Sequence, residues 1–449
     1  MNITNKNHTI SKLNKHDFLM FALDDAITSL GQTCTLRFKE RHGVKEIREA
    51  IRYMISIYPR LRAIVEPTLF SYRLKIFDDG DRQLNVLFND AFRVRHGLKY
   101  NSLEYLEYRK NLMNEPFSLQ QGLPIKIRYI PDDYQPVLLF SIHHMVCDGK
   151  SIFHLLNSML SYMNGKKPPY VPLDNPSQLP ALVQKPFYKI PGQILRSYTL
   201  LRHDLIKNKG QKIIPASSKP ADFFGPANLN HYTLPYDVNT VKAKARKLGF
   251  LSINVFLLAA LAIVLGKGPG KDRGDIIGIP FSIDLRPFFT GKPPVFGNFV
   301  SNFWFKIHKK YWNNQKELLN EIRKQFNENI RRYKHKEMIV PMTMEKLNTF
   351  FGRKYFTMGA RIALKKGLLP MTCDFSTLGN FDQLNSHGNF AHVLDFIVGF
   401  PQHGLFLFYI TINNTFYISF TYPEAEFDKV DIDTLFQSFS DTLGRLLEI

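Results

Sequence analysis

Cysteine and tryptophan are scarce in this chain of 449 residues, which holds three cysteines and two tryptophans. Cys34, Cys147 and Cys373 lie far apart, so the sequence predicts neither a disulfide framework nor a zinc site with paired cysteine ligands. Acidic residues are also few, 39 against 59 lysines and arginines, which gives a formal net charge of +20. This balance favours anionic partners, among them nucleic acids, acidic lipid surfaces and phosphate-bearing cofactors.

Long hydrophobic runs are missing as well. The longest one, residues 255–265, is far shorter than the roughly 20 residues needed to cross a bilayer. The N-terminal run, residues 18–23, ends at two aspartates and does not fit a signal peptide. We therefore expect a cytoplasmic protein, with peripheral contact to a membrane left open. Nucleic acid is not an expected partner, because no zinc-finger, RNA-recognition or helix-turn-helix signature accompanies the basic charge.

The length exceeds what one hydrophobic core usually serves and favours two domains. Prolines and lysines accumulate between residues 166 and 226, which we take as a linker. The predicted N-terminal domain is then 1–165 and the C-terminal domain 227–449. Each half mixes strands and helices without strict alternation, so the pattern predicts an α+β fold and disfavours a doubly wound sheet.

The most informative stretch is HHMVCDG, residues 143–149, in which two histidines close an apolar run. A neutral imidazole suits general-base catalysis at pH 7, which makes His144 the candidate base. Asp148 has three candidate roles: to bind the ring, to cap the following helix, or to pair with an arginine. Gly149 would let the chain turn where a side chain would crowd the site. Cys147 is the alternative nucleophile.

The pattern HHxxxDG resembles the signature of a large acyltransferase superfamily. That superfamily includes condensation domains of nonribosomal peptide synthetases, polyketide-associated acyltransferases, wax-ester synthases, alcohol acyltransferases and plant BAHD acyltransferases. The run PFSIDLRP at 280–287 is similar to the family's strand and Leu-Arg-Pro motif, and Gly297-Asn298 to its glycine-asparagine element. Residues 373–379 resemble its Ser-Asn-Leu-Gly strand, with Thr377 in place of the asparagine.

The resemblance implies two chloramphenicol-acetyltransferase-like domains in a V arrangement, with a tunnel at their interface and His144 at its middle. It implies that His143 turns its ring into the core and supports the site. It further implies an ion pair between Asp148 and Arg286 that links the two halves, with Asn298 as a supporting residue. The side chains considered for contact with the oxyanion or the substrate are Ser301, Ser376 and Thr377.

The implied activity is transfer of an acyl group from a thioester to a hydroxyl or amine, with a hydroxyl favoured. The donor is acyl-CoA or the phosphopantetheine of an acyl carrier protein, which acts as a co-substrate, with no tightly bound cofactor and no metal. The alternative is a non-catalytic protein that keeps this fold and binds acyl ligands or a membrane surface.

Two stretches, residues 188–209 and 351–367, are rich in lysine and arginine and contain few acidic residues. They are candidates for contact with a lipid surface or with the phosphates of CoA, the latter through Arg353 and Lys354. The alternative is an ordinary solvated helix that packs on its domain with its apolar side.

Overall fold

The structure is a computed structural model, and the residues that it describes are 3–5, 8–26, 29–69, 71–132, 134–173, 187–289, 295–338, 340, 352–368 and 371–449. They form a mixed α+β fold in which each half of the chain contains a large sheet. The predicted fold class is therefore confirmed.

The N-terminal half contains the following strands and helices: β1 (Ile3–Asn5), β2 (His8–Lys12), α1 (Lys15–Leu23), β3 (Gly31–Phe38), α2 (Val44–Ile57), β4 (Ala63–Pro67), β5 (Tyr72–Phe77), α3 (Arg82–Ala91), β6 (Phe92–Val94), α4 (Leu103–Asn114), β7 (Ile125–Ile130), β8 (Val137–His143) and α5 (Gly149–Met163).

The rest of the described chain contains α6 (Ile190–Lys207), β9 (Ala227–Asp237), α7 (Val238–Lys247), α8 (Ile253–Leu265), β10 (Ile276–Asp284), β11 (Val300–His308), α9 (Gln315–Lys334), α10 (Arg353–Lys365), β12 (Cys373–Asn380), β13 (Val393–Gly399), β14 (Leu405–Ile412), β15 (Thr415–Pro423) and α11 (Lys429–Glu448).

Three sheets organise these elements. The first has the order β13-β3-β8-β7-β6, the second β11-β10-β12-β14-β15-β9, and a smaller one β1-β2-β5-β4. Strand β8 is buried along its whole length, which explains why its sequence is almost continuously apolar before the motif. Helix α8 is apolar on all sides and buried in the core of the C-terminal half.

The boundary between the two halves of the chain at residue 227 does not separate the two large sheets. Strand β13 belongs to the C-terminal half in sequence but pairs antiparallel with β3, from Val393 opposite Phe38 to Gly399 opposite Thr33. The first large sheet is thus completed by the other half of the chain. Within the proposed linker, residues 174–186 lie outside the described residues, and α6 occupies much of the remainder.

None of the described helices is both long enough and apolar enough to cross a membrane.

Candidate functional site

The motif forms the loop between β8 and α5. His143 is the last residue of β8, and Asp148 is the N-cap of α5. Oδ1 of Asp148 accepts hydrogen bonds from the backbone N–H and the hydroxyl of Ser151, each at 2.9 Å. The cap satisfies donors that the first turn of a helix leaves without intrahelical partners, so the loop geometry is fixed by its own sequence.

Asp148 also forms the predicted ion pair with Arg286. The contact is bidentate, with Nη1 to Oδ2 at 2.9 Å and Nη2 to Oδ1 at 3.0 Å, and both side chains are 5% exposed. The Phe299 N–H donates to Oδ2 at 2.8 Å. Burial alone would raise the pKa of Asp148, but Arg286 and these donors hold it below the ordinary value. Two of the three candidate roles of Asp148 are thus combined, and no hydrogen bond joins it to His143 or His144, both of which are described.

His144 is half-buried and lies on the wall of a cavity. Nδ2 of Asn298 lies 2.8 Å from Nδ1 of the ring and donates to the His144 carbonyl, also at 2.8 Å. The ring edge packs on Phe400, with centroids 5.3 Å apart. Burial lowers the pKa of His144, partly offset by its own carbonyl and by the charge of Asp148. The imidazole is therefore neutral near pH 7, the state that a general base requires.

His143 turns its ring into the core and is fully buried. Nδ1 accepts a hydrogen bond from the Met145 N–H at 3.1 Å, and Nε2 lies 3.2 Å from Oδ1 of Asp24. The ring packs edge-on against Phe117. These contacts tie the motif loop to the segment after α1. No motif in the sequence identifies Asp24 as the partner of His143.

The cavity has a volume of about 800 Å³ and is lined by residues of both halves of the chain. Helix α1 and the motif contribute from the N-terminal half, while β10, β11, β12, β14 and α10 contribute from the other. His144, Asp148 and Gly149 line it from the motif, and Ser376 faces them from β12. The arrangement can hold an extended ligand against the imidazole, mostly through apolar contacts.

The structure separates the three hydroxyl residues considered for the oxyanion or the substrate. Ser376 lines the cavity, whereas Ser301 and Thr377 do not. On β11 the neighbours of Ser301 face the cavity, so Ser301 points to the other side of the strand. The Thr377 hydroxyl accepts from the Gly379 N–H at 2.9 Å, on the opposite side of β12 from Ser376. Direct contact with a ligand in this cavity is thus available to Ser376 alone of the three.

Gly149 is required by close packing and not by a left-handed backbone. A Cβ atom at this position would lie 2.3 Å from Cδ2 of Leu378, which reaches across from β12. The glycine therefore lets the N-terminus of α5 approach the other half of the chain.

Cys147 is fully buried, and burial raises the pKa of its thiol well above the ordinary value. A thiolate is the reactive form, so this environment disfavours Cys147 as a nucleophile. Within the described ranges, no three His, Cys, Asp or Glu side chains come together as a metal site.

The residues suggested for CoA contact are placed differently from one another. Arg353 is engaged by Asp25 and stacks on the Phe21 ring, 3.7 Å from its centroid, so it ties α10 to α1. Lys354 is exposed. A separate basic pocket of about 470 Å³ is lined by Lys212, Arg273, Lys306 and Lys366.

Sequence reasoning missed most side chains of the main cavity, among them Asp374, Phe400 and Gln402. The signal that existed for Asp374 was its spacing of two residues from Ser376 in a strand. Phe400 and Gln402 follow β13 without a recognisable motif, so only the fold brings them to His144.

No protein-family model matches this chain, and no curated protein matches it in sequence. Solved structures do match it along nearly its whole length. The first condensation domain of the calcium-dependent antibiotic synthetase, in complex with a substrate analogue, superposes with a TM-score of 0.68 at 10% identity, covering 99% of this chain and 97% of that one.

Two further structures are similar. The trichothecene 15-O-acetyltransferase from Fusarium sporotrichioides gives a TM-score of 0.68 at 11% identity, covering 98% of this chain and 96% of its own. A variant of the starter condensation domain of rhizomide synthetase, in complex with C8-CoA and Leu-SNAC, gives 0.66 at 12% identity, covering 98% and 95%. At these identities the likeness establishes the fold, which is that of condensation domains and related acyltransferases.

Proposed function

We propose that this protein transfers an acyl group from a CoA thioester to a hydroxyl group, with His144 as the general base. The observation that carries this proposal is the position of the His144 ring, which is neutral and half-buried on the wall of a cavity that both halves of the chain line. The fold shared with an acetyltransferase and with condensation domains supports acyl transfer over a purely structural role.

In the proposed reaction, Nε2 of His144 takes the proton of the acceptor hydroxyl as its oxygen attacks the thioester carbonyl. A base at Nε2 requires the ring proton on Nδ1, where the carbonyl of the same residue accepts it. The amide of Asn298 must then donate to that carbonyl alone, because two N–H donors cannot share the 2.8 Å contact between Nδ2 and Nδ1. The tetrahedral intermediate then expels the thiolate, which recovers the proton from Nε2. The Ser376 hydroxyl, also on the cavity wall, is placed to donate to the oxyanion.

A phosphate-bearing donor fits the second pocket. Its four cations, Lys212, Arg273, Lys306 and Lys366, are accompanied by no acidic residue among the described lining residues. Lys366 follows the end of α10, whose residue Ala363 lines the main cavity. The nucleotide phosphates of CoA would bind in this pocket while the thioester reaches the main cavity. A free carrier protein would bring the same pantetheine arm to the main cavity, but it has no nucleotide to occupy the basic pocket.

The test is acyl transfer from a panel of acyl-CoAs to alcohols and amines, followed by mass spectrometry. The His144→Ala variant should lose about 10²–10⁴-fold in rate, the usual contribution of a general base. His96→Ala is the matched control, because His96 is exposed and lies outside the cavity. Equal rates for the wild type and His144→Ala would refute the base assignment, and no transfer in any combination would favour the non-catalytic alternative.

We also propose that α6 binds an anionic membrane surface. The side of this helix that faces the protein is mixed in character, because the half-buried Ile190, Leu200 and Leu201 lie there beside polar residues. Gln193 and Ser197 are buried, and they bond to the backbone of Lys336 and Val340 at 2.6 and 3.2 Å.

The side of α6 that faces outward is apolar and flanked by cations. Five large residues are exposed by 45–63% along one side: Ile194, Leu195, Tyr198, Leu205 and Ile206. Arg202 lies among them, and Arg196 and Lys207 are also exposed. Apolar side chains beside cations match the interface of a bilayer that contains acidic lipids.

Vesicle co-sedimentation tests this contact. The wild type should bind vesicles with phosphatidylserine more strongly than vesicles of phosphatidylcholine alone, and added salt should weaken the binding. Leu195→Asp with Leu205→Asp should abolish it, whereas Val430→Asp on α11, a residue 70% exposed, should not. Unchanged sedimentation of the double variant would contradict a lipid partner. So would a wild type that is a dimer in solution and becomes a monomer in the double variant.

A further inference from the structure

The cavity that contains His144 holds a second ionisable side chain, Asp374, which the proposed reaction does not use. Asp374 lies on β12 two residues before Ser376, and alternate residues of a strand share a face. Phe375, between them, belongs to the core of the C-terminal half on the opposite face. The strand therefore presents a carboxyl and a hydroxyl to the same cavity.

Asp374 meets no lysine or arginine among the described residues that line the cavity. Its Oδ1 is buried without a hydrogen-bond partner. The side-chain amide of Gln402, another residue of the cavity wall, lies close enough to lower the pKa of this carboxyl. The chain has 59 lysines and arginines, yet none of them is among the described residues that line this cavity. Burial raises the pKa of Asp374 to about 7, with the Phe375 N–H and Gln402 opposing that shift.

A buried carboxyl without a cation is unfavourable, and a ligand that brings a cation removes that cost. The neighbouring walls are aromatic: Phe400, Phe406 and Phe408 line the cavity on this half, and Tyr355 and Phe356 line it from α10. Aromatic faces attract organic cations through their quadrupoles. A carboxylate among aromatic rings is the combination that recognises a protonated amine.

We infer that the acceptor substrate is an amino alcohol whose protonated amine binds the carboxylate of Asp374. The free hydroxyl of the same molecule reaches His144, on the wall of the same cavity. This inference rests on the proposed acyl transfer, since it names the class of acceptor for that reaction. Asp374 is then a specificity residue that selects amines by charge, while His144 carries out the proton transfer.

Calorimetric titration with two matched probes, 2-phenylethylamine and 2-phenylethanol, tests the inference. At pH 8 the carboxyl of Asp374 is ionised and the amine, with an ordinary pKa of about 10, remains protonated. The wild type should bind the amine at least about tenfold more tightly than the alcohol, the usual size of one charge-assisted hydrogen bond. Asp374→Asn, nearly isosteric, should remove this preference and leave the affinity for the alcohol unchanged.

Asp272→Asn serves as the control, because Asp272 is 79% exposed and lies outside the cavity. Equal affinities of the wild type for the two probes, no detectable binding of the amine, or a preference that survives in Asp374→Asn would overturn the inference.

The binding measurement also separates this inference from the proposed function. His144→Ala should keep the preference for the amine while losing transfer. An Asp374-dependent preference in a protein that transfers no acyl group would refute the reaction and leave the amine site standing. Acyl transfer to simple alcohols without any preference for amines would support the proposed reaction and refute the amine site.

Discussion

At the scale of single residues, Asp148 is the side chain on which most of the site depends. It accepts from Arg286, from Ser151 and from the backbone of Phe299 at once, while almost fully buried. Its role is to hold the motif loop against the other half of the chain, since it reaches neither histidine by a hydrogen bond.

Replacing Asp148 by Asn should destabilise the protein by about 3 kcal/mol, because the substitution removes the charged bidentate acceptor of the buried Arg286. The free energy of unfolding in urea measures this effect. Lys150→Ala is the control, since Lys150 pairs with Asp284 at the surface and should contribute less than about 1 kcal/mol. Equal stability of Asp148→Asn and the wild type would show that the ion pair does not hold the halves together.

The pH dependence of transfer follows from the lowered pKa of His144. A general base works in its neutral form, so kcat should stay constant near neutrality and fall only below the ordinary histidine pKa of 6.5. Asp148 adds no titration there, because its pKa is lowered and it stays ionised.

Recording kcat at saturating substrate reduces the contribution of Asp374, which titrates near pH 7 and acts on binding. If kcat already declines above pH 6.5 as the pH is lowered, that result would contradict the assigned environment of His144.

At the scale of elements, the meeting of α5 with β12 decides how closely the two halves approach. Gly149→Ala should cost about 1–3 kcal/mol, the usual cost of overpacking, because its Cβ would lie 2.3 Å from Leu378. Adding Leu378→Ala should recover part of that loss, which thermal unfolding of the single and double variants would measure. If the double variant loses as much stability as the two single variants together, or more, the contact between Gly149 and Leu378 is not the cause of the loss.

Most elements near the motif follow from local sequence. The apolar spacing from Val44 predicts the helix that ends at Ile57, and the Asn413-Asn414 pair predicts the hairpin between β14 and β15. Both asparagines adopt positive φ, 50° and 60°, as a two-residue hairpin turn demands. The orientation of α6 did not follow, because its periodicity fixes which residues share a side but not which side faces the protein.

At the scale of the whole molecule, the two halves are joined by β13 as well as by the Asp148–Arg286 pair. We expect the full chain to unfold in one calorimetric transition. A fragment of residues 1–226 should not unfold cooperatively, because it lacks the strand that covers β3 and core residues such as Phe396 and Phe408. Circular dichroism during heating measures this, and a sharp transition in the fragment would show that the N-terminal half folds alone.

The sequence by itself determined the motif, the caps and turns around it, and the pairing of Asp148 with the Leu-Arg-Pro arginine, the last through a family resemblance. These depend on residues close in the chain or on a pattern that many chains share. Only the tertiary structure decided that Asp24 meets His143, that Asp374 and Gln402 enter the cavity of His144, and that β13 completes the other half's sheet. Each of those depends on contacts between segments far apart in sequence, whose pairing is selected by the packing of the whole core.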